Sequence, residues 1–150
     1  MRLTVTTPLA IVIEVSDVVH LRAEDETGAF GILPGHADFL TALAVSVTSW
    51  RDERGLEHYV AVRGGMLEVR GGDTIAIATP EGVQGDNLQY LESEVLNTFR
   101  RQLVEERAAR IDAQRLHLAA IRQIARLLRT GSAPTTPAMP TLGPDDRFAP

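Results

Sequence analysis

Residues 28–43 read GAFGILPGHADFLTAL and carry the densest structural signal in the chain. Gly28 and Gly31 bracket a short apolar run that predicts a strand. Pro34-Gly35 is a turn dipeptide, because proline presets φ and glycine accepts backbone angles that other residues avoid. Taken on spacing alone, His36 is predicted to be structural, since a lone histidine without a second ligand nearby seldom binds a metal ion. The apolar side chains that follow predict anchors that return the loop to a core: Phe39, Leu40 and Leu43.

Seven short runs rich in valine, isoleucine and threonine lie between residues 3 and 79, separated by turn residues. Several alternate apolar and polar residues with the period of two that places them on opposite faces of a sheet. The Gly64-Gly65 pair between two runs predicts a tight hairpin, because glycine accepts the positive φ that such turns require. Many short strands without an intervening helix predict a β-sandwich or barrel. The predicted strands are Leu3–Thr6, Ile11–Val15, Val18–Ala23, Val45–Trp50, His58–Arg63, Leu67–Arg70 and Thr74–Thr79.

The pattern becomes helical after Gly85. Asp86 followed by Gln89 has the spacing of a capping box, and an apolar stripe then recurs at steps of three and four residues. The stripe fails across Val104–Arg110, where charged residues dominate, and resumes at Ile111. Its members before the break are Leu88, Leu91, Val95, Phe99 and Leu103, and those after it include Leu118, Ile121 and Leu128.

Two structures fit this broken stripe. One is a single helix of ~40 residues, roughly 60 Å long. The other is a pair of antiparallel helices that fold back near Glu105–Arg110. The pair is the favoured prediction, with the long helix as an extended second state, because two helices bury both stripes against each other whereas a lone helix needs a partner.

The predicted fold class is α+β, with a β-sandwich over residues 1–86 followed by the helical hairpin over residues 87–130. Residues 131–150 contain five of the eight prolines and are predicted to be a disordered tail. Charge is uneven as well: residues 1–86 carry 6 arginines and 13 acidic residues, whereas residues 87–129 carry 8 arginines and 5 acidic residues. This asymmetry predicts two units with different partners, and the mixed charges of the second segment argue against nucleic-acid binding.

Composition and motifs exclude several classes of function. The chain has no cysteine, which excludes disulfides, thiolate metal sites and cysteine nucleophiles. No H-x-H, H-E-x-x-H or G-x-S-x-G motif occurs, and no glycine-rich phosphate loop precedes a helix. We therefore predict no catalytic residue, no metal and no cofactor. No apolar run reaches the ~18 residues of a spanning helix and no secretory signal is present, so we expect a cytoplasmic protein that does not insert into the membrane.

Residues 28–43 resemble the signature of the epsilon subunit of F-type ATP synthases, which reads roughly G-x-x-G-I-L-P-G-H-A-x-x-L-T-A-L. Residues 63–69, RGGMLEV, are similar to the S-G-G-x-L-E-V hairpin of the same family. The resemblance is specific over residues 3–86 and mainly architectural over residues 87–129. A weaker resemblance links the charge-dense helices to the alternative, sodium-type class of these enzymes. Two alternatives stand against the family. One is an enzyme built on a small β-sandwich, which the lack of a catalytic motif disfavours, and the other is a generic adaptor that binds an unrelated partner through its helices.

The resemblance implies a non-catalytic subunit of the central rotor. Its sandwich is expected to bind the gamma subunit and the c-ring, and its helices are expected to inhibit ATP hydrolysis when they extend. It also implies a peripheral location on the cytoplasmic face of the inner (plasma) membrane. The loop expected to face gamma and the c-ring comprises Gly28, Ala29, Phe30, Gly31, Pro34, Gly35, His36, Asp38 and Leu40. The hairpin signature comprises Gly64, Gly65, Leu67 and Glu68. The arginines expected to contact the alpha and beta catalytic subunits are Arg100, Arg101, Arg107, Arg110, Arg115, Arg122 and Arg126.

Three residues depart from the family pattern within the sandwich. Ala29 stands where the family often has an acidic residue, which removes one candidate for a charge contact with the ring. Asp38 stands where a proline is usual, and predicts either a restored negative charge nearby or a solvated loop carboxylate. Arg63 replaces the usual serine and predicts an effect on the sheet surface alone.

The I/L-D-x-x-R-A motif of ATP-binding members is missing from residues 88–93, which read LQYLES. A similar string, IDAQRL, occurs at residues 111–116, but its position corresponds to the second predicted helix. There Asp112 and Arg115 predict an i,i+3 ion pair on an exposed face. We therefore expect that the chain does not bind ATP.

Overall fold

The computed structural model describes residues 1–130, and the predicted disordered tail lies outside the described residues. Within that range, eight strands are followed by a helical segment. The strands are β1 (Arg2–Thr6), β2 (Ile11–Val15), β3 (Val18–Asp25), β4 (Gly28–Ile32), β5 (Phe39–Asp52), β6 (Glu57–Arg70), β7 (Thr74–Ala78) and β8 (Gly82–Gly85). The helical segment comprises α1 (Leu88–Tyr90), a π-helical turn (Leu91–Val95) and α2 (Leu96–Thr130).

The strands pair in the order β2-β1-β7-β6-β5-β3-β4, and β8 pairs with β6. β1 and β7 are parallel, while the other neighbours are antiparallel. β5 and β6 are each 14 residues long and keep one register, from Phe39 opposite Val69 to Arg51 opposite Glu57. This connected sheet folds over on itself into two layers, which confirms the predicted β-sandwich.

The two long strands change the face that they bury at their midpoints. Toward the sandwich core, β6 buries even-numbered residues before Gly64-Gly65 and odd-numbered residues after it. β5 makes the matching change between Leu43 and Ser46. Gly64 and Gly65 have φ of 74° and 113°, which glycine adopts without a Cβ penalty. They carry the strand from one layer into the other, so the prediction that they form a tight hairpin turn was wrong.

The core between the layers consists of aliphatic side chains around one tryptophan. Trp50 is 3% exposed and lies on the half of β5 that follows the change of face. Each fully buried aliphatic side chain stabilises the fold by about 1.5–3 kcal/mol relative to exposure. The buried members include Leu3, Val5, Ile13, Val18, Leu21, Ile32, Val60, Val62, Leu67, Val69, Ile75 and Ile77.

The first turns of the helical segment pack against the outer face of the sheet, over Ala61. Leu91, Leu96 and Phe99 are buried there. In a regular α-helix, residues five apart point about 140° away from each other. The π-helical turn adds one residue between Leu91 and Leu96 and brings both side chains to the same side.

The helix begins at Asn87, whose Oδ1 accepts a hydrogen bond from the backbone N–H of Tyr90 at 3.1 Å. The predicted cap, Asp86 with Gln89, was therefore wrong by one residue. α2 runs for 35 residues without a turn in Glu105–Arg110. The favoured two-helix hairpin is not formed, and the structure shows the alternative, a single long helix. The physical reason is that no glycine or proline interrupts residues 86–130.

The chain divides into two compact units, Met1–Ala108 and a second that begins at Ala109. The sandwich unit includes the first turns of the helix because their apolar side chains are buried against the sheet. In the second unit, the apolar residues of the stripe are exposed, including Ile111, Leu116, Leu118, Ile121 and Ile124.

Candidate functional site

Two turns meet at one end of the sandwich, residues 34–36 and residues 71–73, and we call them the paired turns. The Gly35 N–H donates to the Gly72 carbonyl oxygen at 2.8 Å, and the Gly71 N–H donates to Asp38 Oδ1 at 2.8 Å. A Cβ on Gly72 would lie 2.9 Å from the Gly35 Cα. Only glycine permits this approach, so the turns are locked by backbone contact.

Three aromatic side chains, Phe30, His36 and Phe39, pack together beside the paired turns. The ring of Phe39 lies edge-on to the rings of Phe30 and His36, with centroids 5.6 Å and 5.8 Å apart. His36 Nδ1 also lies 2.7 Å from the Ala37 carbonyl oxygen. Edge-to-face packing of this kind adds about 0.5–1.5 kcal/mol per aromatic pair beyond burial. His36 is therefore held in place by its neighbours, as the spacing predicted for a structural histidine.

A shallow cleft of about 370 Å³ joins the two sequence motifs beside the paired turns. Leu40 on β5 lies opposite Glu68 on β6 in the sheet register. Leu40 is 62% exposed, so it does not anchor the loop in the core as predicted. Glu68 accepts a hydrogen bond from Arg70 Nε at 2.7 Å. The cleft is lined by Asp38, Phe39, Leu40, Glu68, Val69 and Arg70.

Other residues of the predicted loop lie elsewhere. Gly28 and Ala29 belong to β4, paired with Asp25 and Glu24 of β3. Ala29 lines a separate groove of about 570 Å³ on the outer face of the sheet, whose walls carry charges of both signs. Gly31 also lies on β4, where a Cβ would approach His20 Nε2 to 3.0 Å. The charged residues of the groove are Arg22, Glu24, Arg51, Glu57, Glu92 and Arg100.

The four residues of the hairpin signature, Gly64, Gly65, Leu67 and Glu68, do not form one site. Gly64 and Gly65 carry β6 between the layers, and a Cβ on Gly65 would lie 2.1 Å from the Ala78 carbonyl oxygen. Leu67 is fully buried in the core. Only Glu68 reaches the cleft beside the paired turns.

The helix arginines lie on exposed positions. Arg100 lines the outer groove, and Arg115 lies 3.8 Å from Asp112 in the predicted i,i+3 ion pair. Glu106, which lies among these arginines in the sequence, contacts Arg63 of the sandwich. Exposed as well are Arg101, Arg107, Arg110, Arg122 and Arg126.

A polar cluster that the motifs did not indicate closes the β5–β6 hairpin. Asp52 Oδ2 lies 3.0 Å from His58 Nε2, and Asp52 Oδ1 accepts the backbone N–H groups of Arg54 and Leu56 at 2.9 Å each. The His58 ring stacks on Trp50 with centroids 5.3 Å apart. The hydrogen bond from His58, followed by those from Leu56 and Arg54, holds the pKa of Asp52 below its ordinary value. The D-x-x-G-x-x-H spacing of residues 52–58 is the signal that would have found it.

Among residues 1–130, no group of three or more histidine, aspartate or glutamate side chains is arranged to hold a metal ion. In the same range, no helix combines the length and apolarity that crossing a bilayer requires.

Comparison with known proteins gives consistent results. Residues 1–84 match the β-sandwich domain of the ATP synthase delta/epsilon chain. ATP synthase epsilon chain 2 of Paraburkholderia xenovorans is 43% identical over 129 residues, covering 86% of this chain and 93% of the relative. ATP synthase epsilon chain 2 of Cereibacter sphaeroides is 41% identical over 126 residues, covering 84% and 86%.

A solved structure shares the fold. A chain in the cryo-electron microscopy structure of the Euglena gracilis mitochondrial ATP synthase (OSCP/F1/c-ring) superposes with a TM-score of 0.54 at 24% identity. The match covers 71% of this chain and 62% of that one. The sandwich match and the two relatives, each aligned over more than four fifths of both chains, establish the family. The chain belongs to the ATP synthase delta/epsilon family, as an epsilon subunit of an F-type ATP synthase and thus a non-catalytic accessory subunit of that complex.

Proposed function

We propose that this epsilon subunit is part of the central rotor and couples ion translocation through the c-ring to ATP synthesis and hydrolysis in the catalytic core. In this proposal the sandwich binds the gamma subunit and rests on the c-ring through the paired turns and the adjoining cleft. The proposal rests on the observation that the two family motifs meet in space. Asp38 and Leu40 of residues 28–43 line the same cleft as Glu68 of residues 63–69.

The construction of this end of the sandwich suits a part that transmits torque. A rotor contact must not yield when the ring turns, and the paired turns are tied by two backbone-donated hydrogen bonds and a close glycine contact. Around them, Leu33 and Leu40 are 59% and 62% exposed, beside the charged pair Glu68 and Arg70. A rigid surface of mixed apolar and charged residues is a suitable partner for the polar loops of a membrane ring.

Cysteine cross-linking in the assembled complex tests this contact directly, because the natural chain has no cysteine. Ala37→Cys places a thiol on the exposed loop beside the paired turns, and Ala10→Cys is the matched control. Ala10 follows the end of β1 that pairs with Ala78, whereas the paired turns adjoin the other end, where Arg2 pairs with Thr74. We expect Ala37→Cys to form products with the c-ring or gamma and Ala10→Cys to form none with the ring. Equal yields from both variants would refute the proposed contact.

We further propose that the helical segment inhibits ATP hydrolysis when it lies along the catalytic core. Two features support this: α2 presents exposed apolar residues from Val104 to Ile124, and arginines recur along the same segment. Guanidinium groups form bidentate contacts with carboxylates, so acidic patches on the alpha and beta subunits are the expected partners.

Steady-state ATP hydrolysis by the reconstituted core tests the inhibitory function. The full chain is expected to slow hydrolysis, and a chain truncated after Ala108, the end of the sandwich unit, is expected not to. Arg110→Glu should weaken inhibition several-fold, while Arg54→Glu, the same charge change on an exposed sandwich position, should leave it unchanged. If the truncated chain inhibits as strongly as the full chain, the part of the helix beyond Ala108 is not the inhibitory element.

The location follows from the assembly. As a peripheral component of the rotor, the chain is proposed to lie at the cytoplasmic face of the inner (plasma) membrane. No nucleic acid, metal or nucleotide is part of the proposal. Membership in the sodium-type class stays a prediction, because the coupling ion is selected by the membrane ring.

A further inference from the structure

Arg63 connects three parts of the sandwich unit. Its backbone N–H donates to the Glu81 carbonyl oxygen at 3.0 Å, and its Nε lies 3.6 Å from Glu81 Oε2. Its Nη1 contacts Glu106 Oε1 on α2, 43 residues along the chain. The Arg63 side chain is only 16% exposed, whereas the two carboxylates are 45% and 54% exposed. A cation buried to this degree requires carboxylate partners, because burial without them is costly.

The contact with Glu106 lies beyond the last apolar attachment of the helix. Phe99 is buried against the sheet and Leu103 is half-buried, but every side chain from Val104 to Ala108 is exposed. Gln102, one turn before Glu106 on the same helical face, has a buried Oε1 without a hydrogen-bond partner among the described residues. Apolar burial therefore does not hold the turn around Glu106, and the ion pair with Arg63 is the contact that joins this turn to the sheet.

The geometry points to a charge latch, in which the ion pair between Arg63 and Glu106 holds α2 on the sandwich beyond Phe99, the last helical residue of the buried cluster. Release of this ion pair moves the point at which the helix leaves the sheet back toward Phe99. In terms of the proposed function, on which this consequence rests, the latch sets where the movable part of the inhibitory helix begins. It is specific to a chain with arginine at position 63, since the serine of the S-G-G-x-L-E-V pattern has no cation to offer.

Hydrogen exchange of the full chain, followed by mass spectrometry, tests the latch without any ATPase assay. Glu106→Gln removes the captured carboxylate, and Glu105→Gln makes the same change on the neighbouring exposed residue. For an ion pair of this exposure we expect amides within residues 103–108 to exchange roughly 2- to 5-fold faster in Glu106→Gln. Arg63→Ser should reproduce that increase, and Glu105→Gln should match the natural chain. In 0.5 M salt the natural chain should approach the Glu106→Gln rate, because screening weakens the pair.

Two outcomes would overturn the latch. Equal exchange rates within residues 103–108 in the Glu106→Gln and Glu105→Gln chains would show that the ion pair does not hold this part of the helix on the sandwich. Faster exchange in Arg63→Ser that spreads over β6 as much as over residues 103–108 would make Arg63 a structural residue of the sheet. Because neither outcome involves gamma, the c-ring or ATP hydrolysis, failure of the latch would leave the proposed rotor function standing, and the reverse also holds.

Discussion

Replacement of Gly65 by alanine is predicted to be among the most damaging single-methyl changes in the sandwich. Gly65 has φ of 113°, and a Cβ there would lie 2.1 Å from the Ala78 carbonyl oxygen and 2.9 Å from the Thr79 Cα. Both obstacles are backbone atoms of the strand β7 and its end, so no side chain can rotate away. Relief requires that β6 and β7 separate by roughly 1 Å or more at this point.

The magnitude follows from two additive costs. A side chain at this φ costs about 1–3 kcal/mol in backbone strain. Forcing an extra methyl group into a packed region adds about 1–3 kcal/mol more. We therefore expect Gly65→Ala to lower the free energy of unfolding by about 2–6 kcal/mol, a large fraction of the roughly 5–15 kcal/mol of a typical domain.

Urea denaturation of the full chain, followed by tryptophan fluorescence of the buried Trp50, measures this loss. Gly28→Ala is the matched control, because Gly28 has φ of 125° but nothing lies within 4 Å of its Cβ position. The control should show only the strain cost, about 1–3 kcal/mol. A loss in Gly65→Ala no larger than in Gly28→Ala would refute the argument that the close β7 backbone requires glycine here.

Two further predictions concern the hairpin cluster and the helix start. The lowered pKa of Asp52 means that its ionised form stabilises the fold at pH above its ordinary pKa of ~3.9, and that this contribution is lost as pH falls through the folded-state pKa. Asp52→Asn should therefore have a lower free energy of unfolding than the natural chain at pH 7, and the difference should shrink below about pH 4. Urea denaturation at both pH values measures this difference, and Asp17→Asn, at an exposed position, is the control that should show neither effect. At the helix start, Asn87→Ala should cost about 1 kcal/mol in urea denaturation, and Asp86→Ala appreciably less. Equal losses at positions 86 and 87 would contradict the observed cap.

Much of the sandwich could be predicted from local patterns. All seven predicted strands overlap observed ones, because alternation with period two reports directly on a half-buried sheet. The joining of two runs into β6 could not be predicted, since a glycine pair that shifts the buried face by one residue looks like a turn. β8 was missed because Gly82–Gly85 is short and lacks an apolar alternation.

The helix shows the same division between local and non-local information. The stripe correctly identified Leu91 and Phe99, but Leu96 was missed because a step of five residues fits the buried face only with a π-helical turn. The preference for a hairpin assumed that a long stripe must bury itself within the chain. The structure leaves the stripe exposed in the second unit, so burial within the chain does not determine the conformation of this segment.

The candidate site depends on contacts that no local pattern contains. The paired turns are brought together by the order of the strands, and the sequence does not reveal that Gly35 meets Gly72. The same holds for Arg63, which was predicted to affect only the sheet surface and instead contacts Glu106 on the helix. In both cases the residues were recognisable as unusual, but their partners were not.

Binding to the gamma subunit tests the central claim most directly. The purified full chain, and a chain truncated after Ala108, would each be mixed with gamma from the same source and separated by size exclusion. We predict that both forms migrate with gamma, because binding is assigned to the sandwich unit. If neither form binds gamma while both remain folded by circular dichroism, the rotor function as proposed is contradicted.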